Sequence, residues 1–224
     1  MAIYEIQVSS RKLLRGLSAT VVGLLTVHIV LTVWHYRLHE LPWRLRQLFD
    51  VDAEENLPTW YSSFALLLTA AFLLVLGLRK RTQHDPWTGY WLGLATAFGL
   101  LSLDEVAGLH ETFNTVFSRS WAILGAVIAA AFGLAYLRFL RDLPASTRWR
   151  FLLAAALFVG GAVVVETATA WYEDNGLLET LSYELWTAVE EGLEMAGVLV
   201  FLQALLAYMS GSGSSSIAVA VEKG

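Results

Sequence analysis

The sequence contains no cysteine and few charged residues. Without cysteine, the chain forms no disulfide bond and offers no thiolate for catalysis or metal binding. Only 16% of its 224 residues are charged, whereas a soluble domain is typically about 25% charged. The chain therefore lacks the polar surface that a soluble domain presents to water on all sides. Its net charge of −5 also argues against a nucleic-acid partner, because phosphate binding requires a basic surface.

Long hydrophobic segments dominate the rest of the sequence. A helix needs roughly 20 apolar residues to cross a hydrocarbon layer of about 30 Å. Six segments meet this requirement: residues 17–37, 60–78, 89–109, 121–140, 151–171 and 183–208. The first is too long for the apolar core of a signal peptide, so we expect it to be retained. The predicted fold class is all-α, a six-span transmembrane helical bundle over residues 1–209, followed by a flexible Gly/Ser-rich tail at residues 210–224.

The basic residues predict the orientation of the bundle. With six spans, eleven of the fifteen Lys and Arg residues fall on the side of the two termini. The positive-inside rule places that side, and with it both termini, in the cytoplasm. Sixteen of the twenty acidic residues lie at or towards the opposite side. In the first outer loop, residues 42–49 combine apolar side chains with two arginines, which predicts a short interfacial helix.

Acidic residues occur within three of the hydrophobic spans. Asp104 and Glu105 follow fifteen uncharged residues of the third span, and Glu166 follows fifteen in the fifth. Fourteen residues separate Glu194 from the cytoplasmic end of the sixth span, with Glu191 one turn further out. At 1.5 Å per residue, these stretches cover about 21–23 Å, which is too short to cross the bilayer. We therefore expect all three spans to place carboxylates at one depth, in the outer half of the membrane.

Carboxylates at this depth need neutralising partners. An ionised side chain inside the bilayer costs about 2.5–3.5 kcal/mol, so the acids are expected to face one another and to be protonated, paired or bound to a cation. Histidines at the same level would add nitrogen ligands. These are His110, next to Glu111, and the stripe of His28, His35 and His39 on the first span, in which two imidazoles at positions i and i+4 can reach one ion.

The sequence thus predicts a metal site. Its proposed ligands are Asp104, Glu105, His110, Glu111, Glu166, Glu191 and Glu194. A carboxylate-rich set with one or two histidines suits a divalent ion of zinc, iron or manganese. Glu111 and Glu191 are the candidate catalytic residues, each as a general base.

Two smaller features have simpler explanations. The acids of the first outer loop are expected to be solvated: Asp50, Asp52, Glu54 and Glu55. Four glycines of the fifth and sixth spans are expected to permit close helix packing: Gly160, Gly161, Gly192 and Gly197.

Three functions fit this pattern. The first is a metal-dependent membrane enzyme that acts on a lipid-like substrate, either by attack of a metal-bound water or by oxidation. The second is a non-enzymatic accessory or scaffolding subunit of a membrane complex, in which shared protons hold the spans together and the outer loop and tail contact protein partners. The third is a proton or cation pathway, although the chain shows no two-half repeat of the kind found in many transporters.

Three segments carry a resemblance to a known group of proteins. They are residues 101–111, LSLDEVAGLHE, residues 189–195, VEEGLEM, and residues 52–60, DAEENLPTW. In this order they resemble an uncharacterised family of bacterial multi-pass membrane proteins with SLDE…HE and EEGLEM motifs. The resemblance extends from about residue 49 to residue 208. It implies a location in the bacterial inner membrane, with membrane lipid as the surrounding partner, and it implies no particular activity.

Overall fold

The computed structural model describes residues 3–109, 121–211 and 216–222. The first half of the chain contains β1 (Ile3–Ser9), α1 (Ser10–Arg37), α2 (Trp43–Phe49), α3 (Leu57–Thr82) and α4 (Thr88–Ala107). The second half contains α5 (Trp121–Asp142), α6 (Ala145–Val159), a π-helix (Gly160–Val165), α7 (Glu166–Asp174), α8 (Leu181–Ser210) and β2 (Ser216–Glu222). The helical architecture predicted from the sequence is confirmed.

Five helical segments are long and apolar enough to cross a membrane. They are Ser10–Arg37, Leu57–Thr82, Ala122–Asp142, Ala145–Asp174 and Leu181–Ser210. Large apolar side chains face outward along them, such as Leu134 with 70% of its surface exposed, and lipid tails are the surroundings that suit such a surface. The chain is therefore a membrane protein. The third predicted span corresponds to α4, which is not among these five. Its two acidic residues, Asp104 and Glu105, lower its hydropathy. The count of six spans therefore stays a prediction.

Local interactions fix the ends of the helices. The side-chain oxygen of Asn56 accepts a hydrogen bond from the backbone N–H of Thr59 at 3.1 Å and so caps the start of α3. Thr180 caps α8 in the same way, accepting from the N–H of Tyr183 at 3.4 Å. At the end of α4, Gly108 adopts the left-handed conformation with φ 55°, which glycine enters without steric cost.

Helix α8 lies at the centre of the bundle. It packs against α1 and α3 on one side and against α6, the π-helix and α7 on the other. Helices α3 and α4 form a second closely packed pair. Near one end of this pair, the Ser63 hydroxyl donates to the carbonyl oxygen of Ser102 at 3.0 Å. Near the other, Gly77 lies so close to Leu92 that a Cβ would stand 2.6 Å from its side chain.

Aromatic side chains fill the core nearest the chain termini. Trp91 and Phe139 are each only 1% exposed, and their rings meet edge to face with centroids 4.9 Å apart. Phe151 and Phe201 stack with centroids 4.2 Å apart, which ties α6 to α8. Such pairs contribute about 0.5–1.5 kcal/mol each beyond the burial of their surface.

The four glycines of the fifth and sixth predicted spans differ in their packing. A Cβ at Gly161 would stand 2.7 Å from the carbonyl oxygen of Glu190, and one at Gly197 would stand 2.8 Å from the backbone nitrogen of Phe158. Close packing is confirmed at these two positions. It is weaker at Gly192, where the nearest atom belongs to Leu25 at 3.3 Å, and a Cβ at the fourth position, 160, would meet nothing within 4 Å.

The two terminal segments form an antiparallel ribbon. β1 pairs with β2 in a register that runs from Ile3 opposite Glu222 to Ser9 opposite Ser216. The sequence predicted a loose tail here, and the structure differs because residues 217–221 alternate β-branched residues with alanine, a pattern that favours strands. The pairing places the start of α1 and the end of α8 at the same end of the bundle.

Candidate functional site

Five carboxyl groups from three helical segments meet towards the end of the bundle opposite the terminal ribbon. Glu190 interacts electrostatically with Glu166 and Glu194. Glu191 interacts with Glu105 as well as with its neighbours on α8. All five side chains are partly buried. We call Glu105, Glu166, Glu190, Glu191 and Glu194 the carboxylate cluster.

Helical periodicity explains how α8 contributes three members of the cluster. Glu190 and Glu194 are four residues apart and therefore project from the same face one turn apart. Glu191 lies between them, rotated by about 100° towards α4. A substitution that changes the register of α8 would separate these side chains.

A cavity lies next to the cluster. It has a volume of about 20 Å³ and is lined by Tyr61, Ser62, Ala65, Leu66, Glu105, Phe158, Glu191, Glu194, Met195 and Val198. Three of these residues are carboxylates from two helices, and most of the others are apolar. The open part has room for about one or two water molecules, so its size suits an ion and its water better than an organic molecule.

The π-helix positions Glu166. A π-helix holds more residues per turn than an α-helix, so it changes the face on which the residues after it lie. Glu166 is the first residue after Gly160–Val165, and its carboxyl group reaches hydrogen-bonding contact with that of Glu190. Single π-turns within α-helices occur frequently at functional sites.

This contact between Glu166 and Glu190 has a chemical consequence. A carboxylate can only accept hydrogen bonds, so two carboxyl groups in such contact must share a proton or lie against a cation. Within the described residues, three ion pairs form, and none of them engages Glu166, Glu190 or Glu191. These three carboxyl groups therefore gather negative charge that no ion pair between described residues neutralises.

The loop between α2 and α3 also contributes an acid to this region. The hydroxyl of Tyr183 donates to Asp52 at 3.1 Å. Although part of the Asp52 side chain reaches the surface, burial raises the pKa of its carboxyl group to about 6; the charge of Asp50 acts in the same direction, and the Tyr183 hydrogen bond opposes it. Asp52 also interacts electrostatically with Glu190 and Glu191. It lies between the exposed surface of the loop and the cluster.

The expectation that the four loop acids are solvated holds for two of them. Asp52 and the acid at position 55 are exposed, although Asp52 also accepts the hydrogen bond from Tyr183. Asp50 is partly buried and lies 3.7 Å from the buried His28. The carboxylate of Glu54 lies against Gly108, where a Cβ would stand 2.6 Å from its oxygen. The loop folds inward because the side chain of Asn56 binds three of its carbonyl groups.

A separate group of ligand-type side chains lies beside the cluster. Potential ligand atoms of His28, Asp50 and Glu184 all lie within 4.8 Å of one another, and these residues could hold a metal ion. In the part of the chain that the structure describes, this is the only group of three or more residues with that geometry. Arg46 donates to Glu184 at 2.7 Å, and the hydroxyl of Tyr36 approaches the same oxygen at 3.4 Å.

The structure places the predicted site residues in three ways. The carboxylate cluster contains four of them: Glu105, Glu166, Glu191 and Glu194. Asp104 precedes Glu105 on α4 and is partly buried. His110 and Glu111 lie outside the described residues. Of the histidine stripe, His35 accepts a hydrogen bond from the N–H of Leu41 at 3.1 Å, and His39 is exposed.

The ligand set predicted from the sequence lacks three residues that the structure brings together, His28, Asp50 and Glu184. Periodicity offered a signal for two of them, because His28 lies seven residues before His35 and Glu184 seven before Glu191, and each pair shares a helix face. No such signal existed for Asp50, because the inward fold of its loop depends on hydrogen bonds that a sequence pattern does not reveal.

One comparison with known proteins identifies a relative. A family model described as "Domain of unknown function (DUF8692)" matches residues 16–209. The match includes every helix from α1 to α8, and with them both groups of acidic residues. It agrees with the predicted resemblance to an uncharacterised family. No curated protein and no solved structure matches the chain.

Proposed function

Because the chain belongs to the DUF8692 family, a domain of unknown function, we propose its function from the chemistry of its own residues. We propose that it is a membrane metalloprotein, whose carboxylate cluster holds a divalent metal ion in the outer half of the bilayer. The observation that carries this proposal is the convergence of carboxylates from α4 and α8 on one small cavity, with Glu166 of α7 against Glu190 beside it. Negative charges gathered in this way repel one another, and a bound cation removes that repulsion.

The ligands that line the cavity are the first candidates for the metal. Glu105, Glu191 and Glu194 border it directly, and carboxylate oxygens suit iron, manganese and, with nitrogen ligands, zinc. Asp104, His110, Glu111 and Glu166 complete the set that we propose from the sequence, with His110 as the nitrogen ligand.

A metal at this depth supports an enzyme that acts on a lipid-like substrate. The walls of the cavity include Leu66, Phe158 and Val198, so an apolar chain could lie against them while its polar group meets the metal. Zinc would lower the pKa of a bound water towards about 7 for attack on an ester or amide. A pair of iron or manganese ions would serve oxidation of a lipid or quinone. Glu111 or Glu191 is the proposed general base.

We further propose six membrane crossings with both termini in the cytoplasm of a bacterial cell. The terminal ribbon brings the start of α1 and the end of α8 to one end of the bundle, which supports an even number of crossings. Helix α4 packs along α3, so it supplies the crossing that hydropathy alone misses. The excess of basic residues on that side supports a cytoplasmic location, and α2 would lie in the outer interface.

A second candidate function rests on the contact between Glu166 and Glu190. If one proton replaces the metal, the cluster is a hydrogen-bonded network that holds α7 to α8. The protein would then be an accessory or scaffolding subunit of a membrane complex, with protein partners and no catalytic activity of its own. If this second candidate holds, the purified protein contains no metal and still assembles into its membrane complex.

Metal analysis of the detergent-purified protein tests the proposal. We expect about one or two equivalents of zinc, iron or manganese per chain after dialysis. Replacing both Glu191 and Glu194 by glutamine removes two negative ligands with little change of shape, so the metal content is expected to fall at least tenfold.

Glu179→Gln is the matched control, because Glu179 is exposed near the start of the same helix. This variant should retain the metal. Size-exclusion chromatography of all three proteins checks that they remain folded. Negligible metal in every wild-type preparation, or equal metal in the double variant and the wild type, would contradict a centre at the carboxylate cluster.

A further inference from the structure

The group of His28, Asp50 and Glu184 combines the ligands of a metal site with a positively charged neighbour. One imidazole and two carboxylates are a ligand set that zinc and related ions accept. His28 is 3% exposed and Glu184 is 8% exposed, and they lie on the long helices α1 and α8. Two of the three ligands are therefore held by rigid elements, and Asp50 is brought to them by the outer loop.

The contacts of His28 leave its ring nitrogens weakly engaged. Nδ1 accepts from the N–H of Val51 at 3.4 Å and lies 3.7 Å from Asp50, and Nε2 lies 3.4 Å from the carbonyl oxygen of Glu184. These distances exceed the usual N–H···O separation of about 2.9 Å. A cavity of about 10 Å³, lined in part by His28, Arg46 and Asp50, has room for about one water molecule. The space beside the ring thus has the size of an ion.

Arg46 supplies the positive charge that a metal would bring. Its guanidinium donates to Glu184 at 2.7 Å and lies 5.6 Å from the ring centroid of Tyr36. A guanidinium so close to a ligand oxygen would repel a divalent ion bound to the same oxygen. The two cations therefore compete for Glu184.

Arg46 reaches Glu184 from a helix at the surface. Helix α2 spans only Trp43–Phe49 and contains no buried residue, and the Arg46 side chain is 22% exposed. A change of rotamer would turn its guanidinium towards solvent and break the ion pair with Glu184, while α2 and the adjoining Asp50 stay in place. The arginine can therefore leave the site without removing a ligand.

We propose that His28, Asp50 and Glu184 form a second cation site, separate from the carboxylate cluster, which binds a divalent transition-metal ion when the Arg46 side chain turns away. Arg46 is the internal competitor that neutralises Glu184 while no metal is bound. Metal binding at this site and the ion pair between Arg46 and Glu184 are then mutually exclusive.

Cobalt titration tests this competition. Co²⁺ reports its ligand set through visible absorption, and it is titrated into detergent-purified protein that carries Glu191→Gln and Glu194→Gln, so that the carboxylate cluster does not contribute. In this background, Arg46→Gln is expected to lower the Kd for Co²⁺ by roughly tenfold or more, because it removes the competing charge. Arg44→Gln is the matched control, since Arg44 is an exposed arginine of the same helix. Arg46→Lys keeps the positive charge, so it should lower the Kd for Co²⁺ less than Arg46→Gln does.

A third substitution identifies the ligands. Adding His28→Gln to the Arg46→Gln protein should abolish the gain in affinity for Co²⁺. If the His28 variant fails to fold, Asp50→Asn is tested in its place. Equal affinities for Co²⁺ in the Arg46→Gln and Arg44→Gln proteins would overturn the proposal. A gain in affinity that survives replacement of His28 or Asp50 would overturn it as well. Because the background lacks two carboxylates of the cluster, this result is independent of whether that cluster binds a metal.

Discussion

Gly161→Ala is expected to lower the melting temperature of the protein by roughly 4–10 °C. The new Cβ would stand 2.7 Å from the carbonyl oxygen of Glu190 and 2.9 Å from Cγ of Glu194, so the π-helix and α8 must move apart. Overpacking of this kind costs about 1–3 kcal/mol, and each kcal/mol shifts the melting temperature of a chain of this size by about 2–4 °C. Thermal unfolding in detergent, followed by circular dichroism, measures the effect.

Gly160→Ala provides the matched control. It is the same substitution one residue earlier, at a position where a Cβ meets nothing within 4 Å. Alanine also favours helical structure over glycine by about 1 kcal/mol, so this variant should melt at the wild-type temperature or above it. The Gly161 variant should in addition lose metal, because its displaced helices carry Glu166 and Glu194 apart. Equal losses of stability in both variants would show that the close approach at Gly161 does not matter.

Asn56→Ala is expected to destabilise the protein by roughly 2–4 kcal/mol, since buried carbonyl groups lose their donor and α3 loses its cap. The Asn56 amide donates to the carbonyl oxygens of Gln47, Asp50 and Ala53 at 3.0, 2.6 and 2.8 Å. Its side-chain oxygen accepts from the N–H of Thr59. Thermal unfolding measures the loss of stability, and hydrogen exchange of residues 50–56 is expected to accelerate as the loop loosens.

Asn56→Asp separates the two roles of this side chain. Aspartate caps a helix as well as asparagine does, but its carboxylate cannot donate to the three carbonyl groups and would repel them. We therefore expect Asn56→Asp to be no more stable than Asn56→Ala. A stability equal to the wild type would show that the cap alone matters and that the amide does not hold Asp50 and Asp52 in place.

The membrane-spanning helices could be predicted from the sequence because their signal is compositional. The predicted span at residues 60–78 lies within Leu57–Thr82, and that at residues 183–208 lies within Leu181–Ser210. The ends were extended by polar residues that continue the helix beyond the apolar stretch. The π-helix at Gly160–Val165 had no such signal, because its residues are as apolar as those of the α-helix around it.

The acidic members of the site could be predicted in part. Counting residues from the cytoplasmic end placed Glu105, Glu166 and Glu191 at one depth, since rise per residue is a property of every α-helix. The inward turn of Asp50 and Asp52 could not be predicted, because it depends on the hydrogen bonds that Asn56 makes within a loop. A side chain in such a loop becomes part of a site only through the tertiary structure.

The account depends on a cation among carboxylates inside the membrane, and anomalous X-ray scattering tests it most directly. Diffraction data would be collected from crystals of the purified protein on either side of the absorption edge of the metal found by analysis. The account predicts an anomalous peak in the cavity between α4 and α8, about 2.0–2.2 Å from carboxylate oxygens of Glu191 or Glu194. Crystals of metal-containing protein with no peak in that cavity would contradict it.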